Sequence, residues 1–332
     1  MRTRGTVRIL ENPDHRKKDA ELQSLQKQME DCLSASDFER GLEIALGAID
    51  RFPERPTLTH SWAIDFCLPL GRKRKAMKVL EQGFDRGAWW SPKILRSNLS
   101  ELKDHQDFPR ILKMGEDRFR KAEQIAEAKL IVRTPKEPSD GTRHPLLLVL
   151  HGAHSNNFDC EPHWLSILDS KRLFLASLQS SQVVMGDHYV WDDREIALRE
   201  IENAYSMLTE RYRIDTSKVV LGGISAGAET ALFAVFLNRA PAKGFISVIP
   251  SVGAFIKEFV KNNSLPSIGT DLKGCIVAGE KDPRYGNVKI VYEFLSRKGV
   301  PIRLHSYSEL GHSIPNDFDQ VLVKSTEFIL EE

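Results

Sequence analysis

The chain has 332 residues, enough for one large or two ordinary domains, and 41% of them are hydrophobic, as in a globular protein with a sizeable core. The 47 basic and 46 acidic residues give a formal net charge of +1, so no charge excess points to nucleic acid or an anionic membrane surface as a partner. The apolar run at 145–150 is far too short to cross a bilayer, and the basic start of the chain lacks the apolar segment of a secretory signal.

The first part of the chain, from about residue 19 to 127, has the hydrophobic spacing of amphipathic helices. Leu42, Leu46 and Ile49 fall on one helical face. A second stripe with Val79 and Leu80 follows at an offset of 34 residues, which is the spacing of tetratricopeptide helix pairs. We therefore predict an all-α domain over residues 1–125, built either as such a repeat or as an irregular helical bundle.

From residue 128 onward, seven short runs have the character of strands, and amphipathic helical patterns separate several of them. Continuous apolar strands that alternate with helices favour a mainly parallel sheet covered on both faces. We predict such an α/β domain over residues 126–332. The charged stretch at 133–145 is predicted to be the turn between its first two strands.

The sequence Gly-Ile-Ser-Ala-Gly at 223–227 lies where a predicted strand becomes a predicted helix. In such a tight turn, side chains two residues before and after the serine would clash, so glycine at both positions leaves the Ser225 hydroxyl projecting at the carboxyl edge of the sheet. The five-residue pattern alone is weak, but this context favours a nucleophile over an ordinary turn serine.

A serine nucleophile needs a general base, usually a histidine that is held by a carboxylate. Asp282 stands just after a predicted strand, with Glu280 as the nearby substitute, and His312 lies in a loop after the last predicted strand. His305 lies inside that strand, and the other eight histidines precede Ser225. We therefore predict His312 as the base and Asp282 as the acid that orients it.

Acyl transfer also needs hydrogen-bond donors for the oxyanion. The backbone N–H of Ala153, in the turn after a predicted strand, and that of Ala226, after the nucleophile, are placed to serve. His151 and His154 could form half of a metal site, but no third ligand stands at a suitable spacing, so we predict no metal.

Four motifs together resemble the α/β-hydrolase family: LLLVLHGAHSNN, RIDTSKVVLGGISAGAETAL, IVAGEKDP and ELGHSIPNDF. Within that family the chain is similar to the compact esterases of the phospholipase/carboxylesterase and dienelactone-hydrolase type, over residues 128–332. The resemblance implies an α/β-hydrolase fold, with Ser225 as nucleophile, His312 as base, Asp282 as acid and the two alanine N–H groups as oxyanion hole. Many relatives have HGGG or HGxG where this chain has HGAH, which makes His154 a candidate for contact with the substrate.

The resulting hypothesis is a serine esterase that cleaves small soluble carboxylic esters without a metal or organic cofactor. Peptide and thioester bonds stay open, since the same triad serves all three. Trp191 is a candidate for the pocket wall. The helical half is predicted to be a lid or a module that binds a protein partner or a second copy. A different hypothesis is a helical-repeat interaction protein that carries an inactive hydrolase fold.

Four cysteines are scattered through the chain without a CxxC pair: Cys32, Cys67, Cys160 and Cys275. Disulfide frameworks and zinc sites use cysteines at close, regular spacings, so this pattern favours reduced thiols. We expect a cytoplasmic protein.

Overall fold

The structure is a computed structural model that describes residues 7–10, 16–135, 141–266 and 271–331. The middle of the charged turn predicted at 133–145 and most of the basic N-terminal stretch lie outside the described residues. Within the described residues, no helix combines the length and the apolar character that a membrane span requires.

The chain forms two compact units. The sheet unit comprises residues 7–10, 127–182 and the chain from Tyr189 onward. The described part of the helical unit comprises residues 16–126 and 183–188. Residues 7–10, which the sequence pattern placed in the helical half, therefore lie in the sheet unit. The reason is strand pairing, since Val7–Leu10 runs alongside Ala128–Ile131.

The strands in chain order are β1 (Val7–Leu10), β2 (Ala128–Arg133), β3 (His144–Leu150), β4 (Phe174–Gln179), β5 (Val183–Met185), β6 (His188–Tyr189), β7 (Ile214–Ile224), β8 (Gly244–Val248), β9 (Lys273–Gly279) and β10 (Ile302–Tyr307). Eight of the described strands form one sheet in the order β1-β2-β4-β3-β7-β8-β9-β10. From β4 to β10 along this order all pairs are parallel, whereas β2 is antiparallel to β4 and parallel to β1. Parallel strands end at the same edge, so the loops after β3, β7, β8, β9 and β10 meet there.

The α-helices in chain order are α1 (Arg16–Ser34), α2 (Phe38–Arg51), α3 (Pro56–Cys67), α4 (Lys73–Asp85), α5 (Pro92–Ser97), α6 (Phe108–Ile125), α7 (Asn157–Cys160), α8 (Ile167–Ser170), α9 (Arg194–Arg211), α10 (Ala226–Phe236), α11 (Gly253–Phe255), α12 (Tyr285–Arg297) and α13 (Phe318–Leu330). Short 3₁₀ turns lie at Ser100–Leu102 and Glu161–Trp164, and a π-helical turn at Ile256–Val260 continues α11. Asp193 caps the start of α9, since its carboxylate accepts a hydrogen bond from the N–H of Ile196.

Two inner strands, β4 and β8, are buried along their whole length, as expected of a sheet that is covered on both faces. All six residues of β4 and all five of β8 are buried. On one face the strands pack against α9, α10 and α12, and on the other against α13 and the short helices between β3 and β4. The predicted mainly parallel sheet with helices on both faces is confirmed.

The helical unit contains α1 to α6. Each of the first three helices contacts the next, and α5 contacts α6. Leu42 and Ile49 of α2 are buried, as are Val79 and Leu80 of α4, so the predicted stripes face the interior of this unit. The tetratricopeptide-like arrangement stays a prediction.

Candidate active site

Ser225 forms the junction between β7 and α10 and has a backbone conformation that residues other than glycine rarely adopt. Its φ is 53° and its ψ is −114°. The strain is supported by hydrogen bonds on both sides: the Ser225 N–H donates to the carbonyl of Val248 at 2.9 Å, and the Ser225 carbonyl accepts from the N–H of Ser251 at 3.1 Å. A left-handed serine at the end of a buried strand is the geometry of a nucleophile turn.

The two glycines that flank this serine have no room for a side chain. A Cβ on Gly223 would lie 2.5 Å from the carbonyl carbon of Gly227, and a Cβ on Gly227 would lie 2.3 Å from the carbonyl oxygen of His151. Real Cβ atoms do not approach backbone atoms that closely. The sequence prediction that the glycines relieve crowding in the turn is therefore confirmed.

The three residues that the sequence analysis selected for chemistry lie together at the carboxyl edge of the sheet. The Nε2 atom of His312 is 3.0 Å from Oγ of Ser225, and its Nδ1 atom is 2.5 Å from Oδ2 of Asp282. The second carboxylate oxygen of Asp282 accepts a hydrogen bond from the N–H of Arg284 at 2.9 Å. A single line of hydrogen bonds thus runs from the acid through the imidazole to the serine hydroxyl.

The pKa of Asp282 is lowered from its ordinary value, so the carboxyl is held ionised. Burial of this carboxyl opposes ionisation, but the N–H of Arg284, the ring of His312 and the Arg284 guanidinium together outweigh that effect. An ionised partner fixes the proton of the neutral His312 ring on Nδ1 and leaves the Nε2 lone pair facing the hydroxyl.

The loop that carries His312 is tied to the loop that carries Asp282 by backbone hydrogen bonds. The N–H of Glu280 donates to the carbonyl of Tyr307 and that of Lys281 to the carbonyl of Leu310, both at 2.9 Å. These bonds continue the pairing of β9 with β10 beyond the ends of the strands. They set the distance between the acid and the base.

The turn after β3 contains the predicted oxyanion donor Ala153. Hydrogen bonds of His151 stabilise this turn. The Nε2 atom of His151 accepts a hydrogen bond from the N–H of Ser180 at 3.2 Å, and its Nδ1 atom is 2.7 Å from the carbonyl oxygen of Gly152. The carbonyl of His151 accepts a hydrogen bond from the indole of Trp191 at 2.8 Å. The side chain of His151 is fully buried, so it shapes the turn.

A cavity of about 600 Å³ opens beside the nucleophile turn. Both predicted oxyanion residues, Ala153 and Ala226, line it, as does the predicted pocket residue Trp191. Ala226 begins α10, so its N–H is among the first helical N–H groups, which have no partner within the helix. His154, one position beyond Ala153, is exposed with a φ of 56° and is not among the described residues that line the cavity.

Charged side chains make up much of the cavity wall. Arg194 pairs with Glu258, and its guanidinium lies 4.3 Å from the centre of the Phe233 ring. The carboxylate of Glu229 accepts a hydrogen bond from the N–H of Phe255 at 2.9 Å. These contacts fix both acids and the arginine in place around the cavity.

The structure is similar to that of an uncharacterized protein from Bacillus cereus ATCC 10987, with 23% sequence identity and a TM-score of 0.50, over 92% of this chain and 98% of that one. It is also similar to a Bacillus cereus carboxylesterase (20% identity, TM-score 0.48, 64% of this chain and 98% of that one) and to MGS-M1, an α/β hydrolase from a Medee basin deep-sea metagenome library (17% identity, TM-score 0.47, 61% and 93%). No model of a protein family matches the sequence, and neither does any curated protein.

The strand order, with its antiparallel step at β2, and the serine at the β7–α10 junction decide the fold. The sheet unit has the α/β-hydrolase fold. In an α/β-hydrolase the residues after several strand ends converge on the serine, and here the loop after β8 contributes Ser251. Its hydroxyl oxygen lies 3.3 Å from that of Ser225.

The sequence analysis missed Ser251, although a signal for it was present. It follows the apolar run of β8 at the same edge of the sheet as Ser225, and a hydroxyl at such a position belongs among the candidates. The sequence analysis also missed the close packing around Gly279, at the end of β9, which leaves no room for a side chain. A Cβ there would lie 2.3 Å from the carbonyl oxygen of Gly311, directly before His312.

Proposed function

We propose that this protein is a serine hydrolase that cleaves carboxylic esters through a covalent acyl-enzyme on Ser225. The observation that carries the proposal is the unbroken hydrogen-bond line from Asp282 through His312 to the Ser225 hydroxyl. This line contains a nucleophile, a base and an orienting acid in the order and geometry that the chemistry requires.

In the first step the Ser225 hydroxyl attacks the ester carbonyl while Nε2 of His312 takes its proton. Asp282 stabilises the imidazolium that forms and holds the ring in place. The N–H groups of Ala153 and Ala226 donate to the oxyanion of the tetrahedral intermediate. The imidazolium then protonates the leaving alcohol, and the carbonyl re-forms as the acyl-enzyme.

In the second step the neutral His312 takes a proton from water, whose oxygen attacks the acyl carbon. The second tetrahedral intermediate collapses, the proton returns to Oγ of Ser225, and the carboxylic acid leaves. Each proton that is removed is thus returned, and no further reactant is needed. A thioester or a peptide bond would follow the same steps with a different leaving group.

The cavity supports small polar esters as the substrates. Its volume of about 600 Å³ suits a small molecule, and the charged residues Arg194, Glu229, Lys257 and Glu258 are among those that line it. A long alkyl chain would remove water from these charged groups without replacing their hydrogen bonds. We therefore expect turnover of p-nitrophenyl esters to fall as the acyl chain lengthens beyond a few carbons.

The test is labelling with a fluorophosphonate, followed by mass measurement of the intact protein and of its peptides. Peptide masses are essential because the hydroxyl of Ser251 lies only 3.3 Å from that of Ser225. We expect one adduct, on Ser225, in the wild type and in the matched control Ser251→Ala, and none in Ser225→Ala. Ester turnover should fall by roughly 10⁴-fold or more in Ser225→Ala.

An adduct on a residue other than Ser225, or unchanged turnover in Ser225→Ala, would reject the proposed nucleophile. A folded wild type with neither adduct nor turnover of esters, thioesters or amides would reject the enzyme and favour the interaction-protein hypothesis. Comparing turnover of an ester, a thioester and an amide with the same acyl group decides which bond the site prefers.

A further inference from the structure

A buried carboxylate lies behind the oxyanion turn and has no catalytic task in the steps above. Glu200, on α9, is fully buried. Both of its carboxylate oxygens accept from the N–H of Ser181, at 3.2 and 3.3 Å, and Oε1 also accepts from the Ser181 hydroxyl. All three bonds hold the turn that directly follows β4.

That turn is in direct contact with the oxyanion turn. The residue before Ser181 is Ser180, whose N–H donates to Nε2 of His151. Because Nε2 is the acceptor, the ring proton of the neutral His151 is on Nδ1, from which it donates to the carbonyl of Gly152. Gly152 is joined by its peptide bond to Ala153, whose N–H is the proposed oxyanion donor. The path from Glu200 to that donor therefore consists of hydrogen bonds and two covalent links.

Burying this carboxyl costs free energy that an apolar residue would not cost. Burial raises the pKa of Glu200 to about 7, against the effect of the hydrogen bonds from Ser181. No Lys or Arg forms an ion pair with it among the described salt bridges, and the charge of Arg199 is a minor influence. The neighbouring positions of α9, such as Ala197 and Ile201, are filled by apolar side chains. A costly acid at this position is explained if the turn it holds must be placed accurately.

We propose that Glu200 is a positioning residue for the oxyanion hole, acting through Ser181, Ser180 and His151 on the N–H of Ala153. This inference rests on the proposed function, in which that N–H stabilises the oxyanion. Glu200 does not touch the substrate. Its effect is therefore expected on the transition state and not on ground-state binding.

The decisive variant is Glu200→Met, which keeps an unbranched side chain of similar length but removes both acceptors. We expect kcat to fall roughly 10- to 100-fold, less than the full loss of an oxyanion donor, with KM changed by less than about 2-fold. The inhibition constant of a trifluoromethyl ketone, whose adduct carries an oxyanion, should rise by the same factor as kcat falls. Active-site titration with the fluorophosphonate gives the concentration of active enzyme, so that kcat is calculated for correctly folded molecules only.

Two further variants separate positioning from a general effect on the fold. Glu200→Gln should restore kcat to within about 3-fold of the wild type, since the amide oxygen accepts from the Ser181 N–H and the amide nitrogen donates to the hydroxyl. Glu210→Met, at an exposed position of the same helix, should leave kcat and inhibitor binding unchanged. Where Glu200→Met does not fold, Ser181→Ala removes only the hydroxyl bond, and we expect kcat to fall by about 2- to 10-fold.

Unchanged kcat and inhibitor binding in folded Glu200→Met, or in Ser181→Ala where only that variant folds, would overturn the inference. So would a loss of kcat without a parallel loss of inhibitor affinity. A wild type without turnover would instead reject the proposed function, and hydrogen exchange then tests the positioning. We expect faster exchange at 151–155 in Glu200→Met, or in Ser181→Ala in its place, but not in Glu210→Met; unchanged exchange would overturn the inference.

Discussion

A Cβ atom on Gly279 would lie 2.2 Å from the carbonyl oxygen of Leu310. The end of β9 and the loop that carries His312 therefore pack backbone against backbone. This close approach lets the N–H of Lys281 reach the carbonyl of Leu310. It places the base within hydrogen-bonding distance of the acid on the neighbouring loop.

Replacing Gly279 with alanine should displace the histidine loop. Because a shift of about 1 Å in a catalytic group can reduce the rate by roughly 100-fold, we expect Gly279→Ala to lower kcat by about 10-fold or more. The matched control is Gly286→Ala in the first turn of α12, where a Cβ would meet no atom within 4 Å. Steady-state ester kinetics measure the effect, and a normal kcat in Gly279→Ala would show that the loop position does not depend on this contact.

The identity of the catalytic acid is tested by a pair of neighbouring substitutions. Asp282→Asn should lower kcat by roughly 10⁴-fold, because an amide can hold the imidazole in the wrong tautomer and cannot stabilise its charged form. Glu280 is exposed and contacts Tyr285, so Glu280→Gln should leave kcat unchanged. A large loss in Glu280→Gln with little change in Asp282→Asn would exchange their roles.

The hydroxyl of Ser251 should assist Ser225 without being essential. If it donates to Oγ of Ser225, it leaves the Ser225 proton directed at His312. Loss of one hydrogen bond of ordinary strength predicts that Ser251→Ala lowers kcat by about 2- to 10-fold, with KM unchanged. Ser217→Ala, at an exposed position near the start of β7, serves as the control. A loss as large as that in Ser225→Ala would mean that Ser251 takes a direct part in the chemistry.

The raised pKa of Glu200 predicts a pH dependence of stability. Its pKa rises from an ordinary value of 4.5 to about 7 on folding, so between these values the folded state binds more protons than the unfolded state. Stability therefore falls as the pH rises from 4.5 to 7, by about 3 kcal/mol from this group. We expect urea denaturation of the wild type to show this loss relative to Glu200→Gln, and parallel curves for the two proteins would contradict it.

The parts of the site that follow from local crowding could be predicted from the sequence. Ser225 and its two glycines occupy five consecutive residues, so the chemistry of the turn is visible in the motif. Asp282 and His312 could be selected because each follows a run that the sequence predicts to be a strand. All seven runs chosen after residue 128 correspond to strands, from β2 to β10 without β5 and β6.

The parts that depend on distant contacts could not be predicted. β1 is only four residues long, and Val7 is its only buried residue, so no periodicity identifies it. Glu200 stands on a helix whose pattern alone does not distinguish a buried acid from an exposed one, and only the neighbouring turn at Ser181 gives it a role. Nothing in the sequence distinguishes Gly279 from the other glycines, because its role depends on contact with the loop that carries His312.

The pairing of Val7 with Ala128 has a consequence for the synthesis of this protein. The chain leaves the sheet after β1, builds α1 to α6, and only then makes the strand that β1 joins. A ribosome releases the chain from its N-terminus, so β1 waits unpaired while the helical unit is completed. Among the described strands, β1 is thus synthesised before its partner and can pair only when β2 emerges.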